Sequence, residues 1–422
     1  MQTGLRRRNP QWMFAGLAIL AGLVIFFLYL ANYRYCVQNP GGSDFLPRWV
    51  GARKFLMEGI SPYSAETTAE IQRMFYGRPA RADEDQVLFV YPFYSIFVFG
   101  PFALIPDYNT ARAVWMTMLE ICIVAIVMIS VVLNRWRLST LMLGGLLLFA
   151  ALWYYSIRPL INANASLLIA LFVAAAFLAV RTGHDALAGL LLALSTIKPQ
   201  MVILLILLTL LWSASSRRWV LFWSVVGNIV LLSAITSLLI PDWIWQNLVQ
   251  VFAYPRYTLP TTPGEIFTLW VPGVGKQLGW ALTILLTGTL VWEARLAWGK
   301  EAYWFVWTSC LTLAATQLIG IPTATENYMI LFPAVVMVFA AWDEQWGPVG
   351  RALILISCLG LFFGVWWLFL STLVVGEQPI QSPTLFFPLP VFLLVGLYWV
   401  RWWVLRPEQP LLDRWRRFRH KI

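Results

Sequence analysis

The chain has 422 residues, 60% of them hydrophobic and 12% charged, with a formal net charge of +10. Soluble domains carry about twice that share of charge, so a water-soluble globule is excluded, and no segment is polar enough over a domain's length to fold alone. The basic residues sit in short clusters at the ends of apolar blocks (Arg6 to Arg8, Arg135 and Arg137, Arg217 and Arg218, Arg414 to Arg419), a pattern that fits loops held against anionic lipid and not a nucleic-acid face.

A run of about 20 apolar residues crosses the hydrocarbon core as a helix, with every backbone amide satisfied internally. The first such run extends from Trp12 to about Tyr33. It is too long for a signal-peptide core and has no small-residue cleavage site, so it reads as a retained anchor. Residues 34–90 are the longest polar stretch, an external loop with two short interfacial helices predicted near Asp44–Glu58 and Ala65–Tyr76. Tyr91–Pro106 is apolar but short and punctuated by proline, which predicts a re-entrant or broken helix. Spans are expected near 108–133, 138–156, 162–181, 217–240, 277–298, 302–321, 326–342, 350–373 and 385–405. The block 185–214 is interrupted by Lys198-Pro199-Gln200 and predicts two half-depth helices meeting at a polar elbow. The expected architecture is a single all-α polytopic membrane domain over 1–422, with about a dozen spans and a basic cytoplasmic tail at 406–422. With 91–106 re-entrant, the basic clusters fall on the inner face, and the segments rich in Asn, Pro, Tyr and acids gather outside.

Four groups carry potential chemistry. Asp44 follows Gly41-Gly42-Ser43 just beyond the first span; it is either a helix N-cap or a general base near the membrane face. Lys198, flanked by apolar residues, is either a headgroup-seeking snorkel or a buried cation with a defined partner such as a phosphate. Arg48, Arg158 and Arg256 either contact lipid headgroups one by one or, with Asn162 and Asn164, supply cations and amides suited to a diphosphate or phosphosugar. Glu326, Asn327 and Tyr328 either follow a cap at Thr325 or line a cavity. The four cysteines are scattered and the two histidines, His184 and His420, fall on the predicted inner face. No phosphate loop, dinucleotide fingerprint or metal-ligand spacing occurs, so no metal or cofactor is expected.

The order of Asp44 after small residues, Gly59-Ile60-Ser61-Pro62-Tyr63, Tyr91-Pro92-Phe93, Asn162-Ala163-Asn164 and Lys198-Pro199-Gln200 resembles the polyprenol-phosphate-mannose-dependent mannosyltransferases of glycosyltransferase family eighty-seven, over about residues 1–340. The resemblance implies a GT-C-like helical bundle in the plasma membrane, with both termini cytoplasmic. It implies an inverting transfer of a sugar, with mannose first, from a polyprenyl-phosphate donor to a lipid or glycan acceptor at the external face. Asp44 matches the family's catalytic base. Lys198, Arg158, Arg256 and Arg48 are then assigned to the donor phosphate, and Asn162, Asn164, Gln200, Tyr91, Glu326 and Asn327 to substrate binding. The chain departs from the family's frequent Asn-Gly-Gln at Asn162-Ala163-Asn164, and from a frequent late histidine at Glu326-Asn327-Tyr328. The competing classes are a lipid or polysaccharide transporter and an inactive scaffold of the same fold.

Overall fold

The apolar blocks become helices throughout the computed structural model, and no strand occurs among the described residues, which are 10–82, 84–253, 262–321, 323–373 and 382–405. Arg256 and the tail 406–422 lie outside them. The first helix, α1 (Pro10–Gln38), is followed by α2 (Leu46–Glu58) and α3 (Ala65–Tyr76). Both short helices fall where the sequence predicts, and each stops at a left-handed glycine, Gly59 or Gly77, a position where side chains bearing a Cβ are strained. Lys54 of α2 pairs with Glu66 (3.4 Å) and Glu70 (3.0 Å) of α3 and keeps the two together.

Residues 91–106 contain only a 3-10 turn and α4 (Ile96–Ala103), with Pro101 inside. Then come α5 (Tyr108–Leu133), capped by Asp107, α6 (Thr140–Leu152), capped by Ser139, and α7 (Tyr154–Ile161), bent 46° from α6. Next are α8 (Ser166–Thr182), α9 (Asp185–Ser195) and α10 (Pro199–Ser215). The break between α9 and α10 is the elbow at Lys198; Pro199 lacks the amide needed to continue the preceding helix and instead opens the next one. The remaining helices are α11 (Trp219–Leu239), α12 (Trp243–Ala253), α13 (Pro263–Trp270), α14 (Gly275–Leu296), α15 (Ala302–Thr316), α16 (Phe332–Trp346), α17 (Pro348–Leu359), α18 (Val365–Thr372) and α19 (Pro388–Val400).

Among the described residues, six helical segments are long and apolar enough to span, or seven when α6 and α7 count as one bent crossing. The other expected spans fall on elements that miss this standard: α8 and α15 have 17 and 15 residues, and α14 carries Lys276, Glu293 and Arg295. Burial orders the bundle. In the span ending in α16, 89% of the best apolar window is buried, against 11% for α1. The α16 span is therefore the centre, while α1 and α11 show their apolar side chains to lipid. The protein is an all-α integral membrane protein.

The turns divide chemically between two ends. At one end Trp136 donates to Asp343 (2.8 Å), Arg218 pairs with Asp185, Trp212 donates to the Lys300 carbonyl (3.2 Å), and Arg181 lies over the Tyr303 ring. This is the end of the Arg135/Arg137 and Arg217/Arg218 clusters. The other end gathers the Gly41–Phe45 turn, the α7–α8 turn, the Lys198 elbow and residues 323–331.

Candidate active site

The Gly41-Gly42 turn is built around two side chains of α5. Arg112, 1% exposed, donates from Nη1 to the Asn39 carbonyl (2.8 Å) and from Nη2 to the Ile161 carbonyl (3.0 Å). The Tyr108 hydroxyl donates to the Gly41 carbonyl (2.9 Å). Gly42 has φ +78°, and a Cβ there would stand 2.7 Å from both Arg112 Nε and the Tyr108 hydroxyl. Only glycine fits. The Gly42 carbonyl then accepts the amides of Phe45 (2.9 Å) and Leu46 (3.0 Å), which closes the turn carrying Asp44 into α2.

Asp44 precedes α2 by two residues and does not cap it. The cap position is Phe45, with no side-chain cap bond, so the N-cap alternative is overturned. Pro47 in the first turn begins the helix without a side-chain cap, because its missing amide needs no acceptor. The Asp44 carboxylate, half-buried, forms no hydrogen bond or ion pair among the described residues. Its backbone amide donates to the Asn162 carbonyl (3.3 Å), which ties it to the α7–α8 turn.

That turn is a helix C-terminal motif with a non-glycine at its left-handed position. Asn164 N reaches Pro159 O (2.8 Å) and Ala163 N reaches Leu160 O (3.0 Å), the paired bonds of a Schellman ending. Ala163 sits at φ +54°, a conformation that costs a residue with a Cβ about 1 kcal/mol or more. The Trp115 indole fixes the strained residue by donating to the Ala163 carbonyl (2.8 Å).

The motif also aims Asn164. Its Oδ1 accepts from Ser166 N (2.9 Å), at the start of α8, and from Lys198 Nζ (2.9 Å). Lys198, 6% exposed, gives a second hydrogen bond to Asn327 Oδ1 (2.8 Å). Both partners are neutral, and Lys198 has no ion pair among the described residues. The snorkel alternative is therefore not what the structure shows; the ammonium is drawn inward. An ammonium buried against two amide oxygens has no counter-charge among the described residues and a third N–H to spare.

Arg158 faces Glu326 (3.6 Å), whose carboxylate also accepts from Asn162 Nδ2 (3.4 Å). Arg158 is thus a paired cation and not a free one. The Glu326 carbonyl accepts from Ser166 Oγ (2.6 Å), and the segment opens as a 3-10 turn, Thr325–Leu331, with Ala324 and not Thr325 at its cap. Arg48 is 6% exposed, lies over the Tyr91 ring at 3.9 Å, and has no hydrogen bond or ion pair among the described residues; its Nε and the Tyr91 hydroxyl are both buried without partners. Gln200, half-buried in the first turn of α10, has no side-chain hydrogen bond among the described residues.

Asp44, Asn162, Asn164, Lys198, Glu326, Asn327 and Arg158 are therefore joined in one network at one end of the bundle, with Arg48 and Tyr91 at its α2 side. Sequence reasoning missed Arg112 and Tyr108. The signal was present, because an arginine within a predicted span always needs an explanation. No cluster of three His, Cys, Asp or Glu with metal-binding geometry occurs among the described residues.

An apolar groove of about 860 Å³ runs between α10, α14 and α15, lined by Leu204, Leu207 and Leu211, by Leu290 and Val291, and by Ile319. Leu204 follows Lys198 by six residues, a rise of about 9 Å, and Ile321, also in the groove wall, lies two residues before Thr323, whose hydroxyl contacts Asn327 (3.4 Å). The groove therefore begins near the lysine and descends along α10 away from it.

No curated protein and no solved structure matches the chain. The family model for glycosyltransferase family 87 matches residues 89–322, more than half of the chain. The matched stretch contains Arg158, the α7–α8 turn, the elbow at Lys198 and the apolar groove, and the chain belongs to glycosyltransferase family 87.

Proposed function

We propose that this membrane glycosyltransferase transfers a sugar, with mannose the first choice, from a polyprenyl-phosphate donor to an acceptor hydroxyl, with inversion, at the external face of the plasma membrane. The observation that carries the reading is Lys198. It is a buried ammonium whose partners among the described residues are neutral, and an apolar groove starts at Leu204, six residues farther along α10. A single-chain lipid phosphate supplies what that arrangement lacks: an anion for the lysine and a hydrocarbon chain for the groove. The basic clusters at the opposite end favour a cytoplasmic location for that end, which leaves the Asp44 end outside.

The chemistry follows from placement. Asp44 accepts the proton of the acceptor hydroxyl. The oxygen attacks the anomeric carbon from the side opposite the phosphate, and the bond from that carbon to the phosphate oxygen breaks with its electron pair. Lys198, with Arg48 next to Tyr91, offsets the charge that grows on the leaving phosphate. Arg158 is held by Glu326 and positions the Asn162 segment. Tying Asp44 and Lys198 to one turn, 162–164, fixes base and leaving group relative to each other, and such positioning is a large part of the rate.

The test is transfer from polyprenyl-phosphate-mannose and polyprenyl-phosphate-glucose in detergent, with membrane glycolipids as acceptors. Asp44→Asn is expected to lower turnover at least about 100-fold while polyprenyl phosphate still raises the melting temperature. Lys198→Met is expected to abolish that thermal shift. Undiminished transfer by Asp44→Asn, or an unchanged shift in Lys198→Met, would refute the respective role.

A further inference from the structure

Asp85 is a carboxylate close enough to Asp44 to feel its charge and has no part in the transfer step described above, and the segment carrying it is held by many bonds. The Asp85 carbonyl accepts from the Tyr76 hydroxyl (2.9 Å), and the Gln86 carbonyl accepts from Gln72 Nε2 (3.0 Å). Gln72 Oε1 accepts from Ala80 N (3.0 Å), and Arg78 grips Glu84 with two bonds of 2.7 and 2.6 Å. Farther along, Asn247 donates to the Val90 carbonyl (3.1 Å) and Tyr63 to the Tyr91 carbonyl (2.6 Å). These anchors maintain Val87 at φ +49°, a rare conformation for a β-branched residue, and Asp85 Oδ1 stabilises it by accepting from Val87 N (2.9 Å).

One Asp85 oxygen is thereby committed to the turn, and the other has no hydrogen bond among the described residues. Burial raises its carboxyl from the usual value; the bond from Val87 N opposes the rise, the charge of Asp44 adds to it, and the Arg48 guanidinium opposes it. These are its charged neighbours, yet none of the three pairs with another at salt-bridge distance. Arg48 is nine-tenths buried and unpartnered, and the Tyr91 hydroxyl beneath it is buried and unpartnered too. Burying a guanidinium without hydrogen bonds is costly. The cost is relieved when a ligand supplies the partners. Acceptors (Asp44, Asp85), donors (Arg48, Tyr91) and an aromatic ring in one place suit a polyhydroxyl ring, whose neighbouring hydroxyls donate and accept in turn.

We propose that Asp85 is a positioning residue for the acceptor. Its free oxygen takes a hydrogen bond from the hydroxyl adjacent to the one Asp44 deprotonates, so the enzyme selects acceptors with neighbouring hydroxyls. This rests on the glycosyltransfer reading above and adds to it the acceptor class and a second carboxylate.

The experiment compares wild type, Asp85→Asn and Asp85→Glu in detergent, with octyl glycosides (mannoside, glucoside, galactoside) and their monodeoxy analogues as acceptors. The Asn variant keeps an oxygen for Val87 N, so the turn survives while the charged acceptor is lost. Wild type is expected to prefer at least one parent glycoside over a monodeoxy analogue by 10-fold or more. Asp85→Asn is expected to raise that acceptor's KM about 10-fold and to erase the preference, with melting temperature and its shift by polyprenyl phosphate unchanged; Asp85→Glu restores part of it. An unchanged acceptor KM in Asp85→Asn would overturn the proposal, and so would a parallel loss of melting temperature and donor binding. Donor cleavage by water with no transfer to any polyhydroxyl probe would overturn the acceptor class. No donor cleavage at all would remove the glycosyltransfer reading itself.

Discussion

Replacing Gly42 by alanine is the sharpest test of how the fold places Asp44. The residue holds φ +78°, and its new Cβ would lie 2.7 Å from Arg112 Nε and from the Tyr108 hydroxyl. Neither neighbour yields easily: Arg112 is committed to the Asn39 and Ile161 carbonyls, and Tyr108 to Gly41 and Gly42. Ordinary contact begins at 3.4 Å, so the turn must give by about 0.7 Å, since its partners do not. The left-handed backbone adds about 1–2 kcal/mol for an alanine. Asp44 lies two residues on, and its amide bond to Asn162, already 3.3 Å long, is the first to break. A displacement near 1 Å at a reacting group costs about 100-fold in rate. The expected outcome is therefore a 10- to 100-fold fall in kcat (about 1.4–2.7 kcal/mol), a moderate drop in melting temperature, and unchanged stabilisation by polyprenyl phosphate. Transfer is measured as polyprenyl phosphate released per minute in detergent. Turnover within about twofold of wild type would show that the Arg112–Tyr108 clamp does not set the position of the base.

Two further outcomes are expected from the same geometry. Ala163→Gly removes the left-handed strain of the α7–α8 turn while retaining its backbone bonds, so stability should rise by up to about 1 kcal/mol, read as a higher melting temperature; a lower one would contradict the assignment of strain. Glu84 is held down to about 2 by the Arg78 guanidinium, with help from the Arg81 amide. Its folded-state value is depressed, so this stabilisation is present above the ordinary value of 4.5 and is lost as pH falls through about 2. Hydrogen exchange in residues 84–91 should accelerate as pH falls through that window beyond the intrinsic trend, and Glu84→Gln should show no such excess.

Much of this was legible in the chain. Apolar run length located the long helices, because hydrocarbon leaves the backbone no partner but itself. Ala65–Tyr76 was legible to the residue, since Ser64 caps it and Gly77 ends it. The elbow at Lys198 was legible because proline cannot continue a helix. Other features were not. An acid after glycines looks like a cap and puts the start of α2 at Asp44, whereas the helix starts at Leu46 behind Phe45 and the Asp44 side chain takes no part in capping. The partners of Lys198 come from α7–α8 and from the segment before α16, 34 and 129 residues away, and no local pattern encodes such a pairing.

The sequence by itself determined that this is a helical membrane protein of glycosyltransferase family 87, with its polar chemistry confined to a few short segments between apolar runs. Those are local quantities, set by hydropathy, helix stops and motif order. Only the tertiary structure decided which charges are spent and which are free. Arg158 is paired with Glu326, Arg112 is committed to carbonyls, and Lys198 and Arg48 are buried with no counter-ion among the described residues. The physical reason is that a buried charge is defined by its neighbours across the bundle, and those are brought together by packing and not by order along the chain.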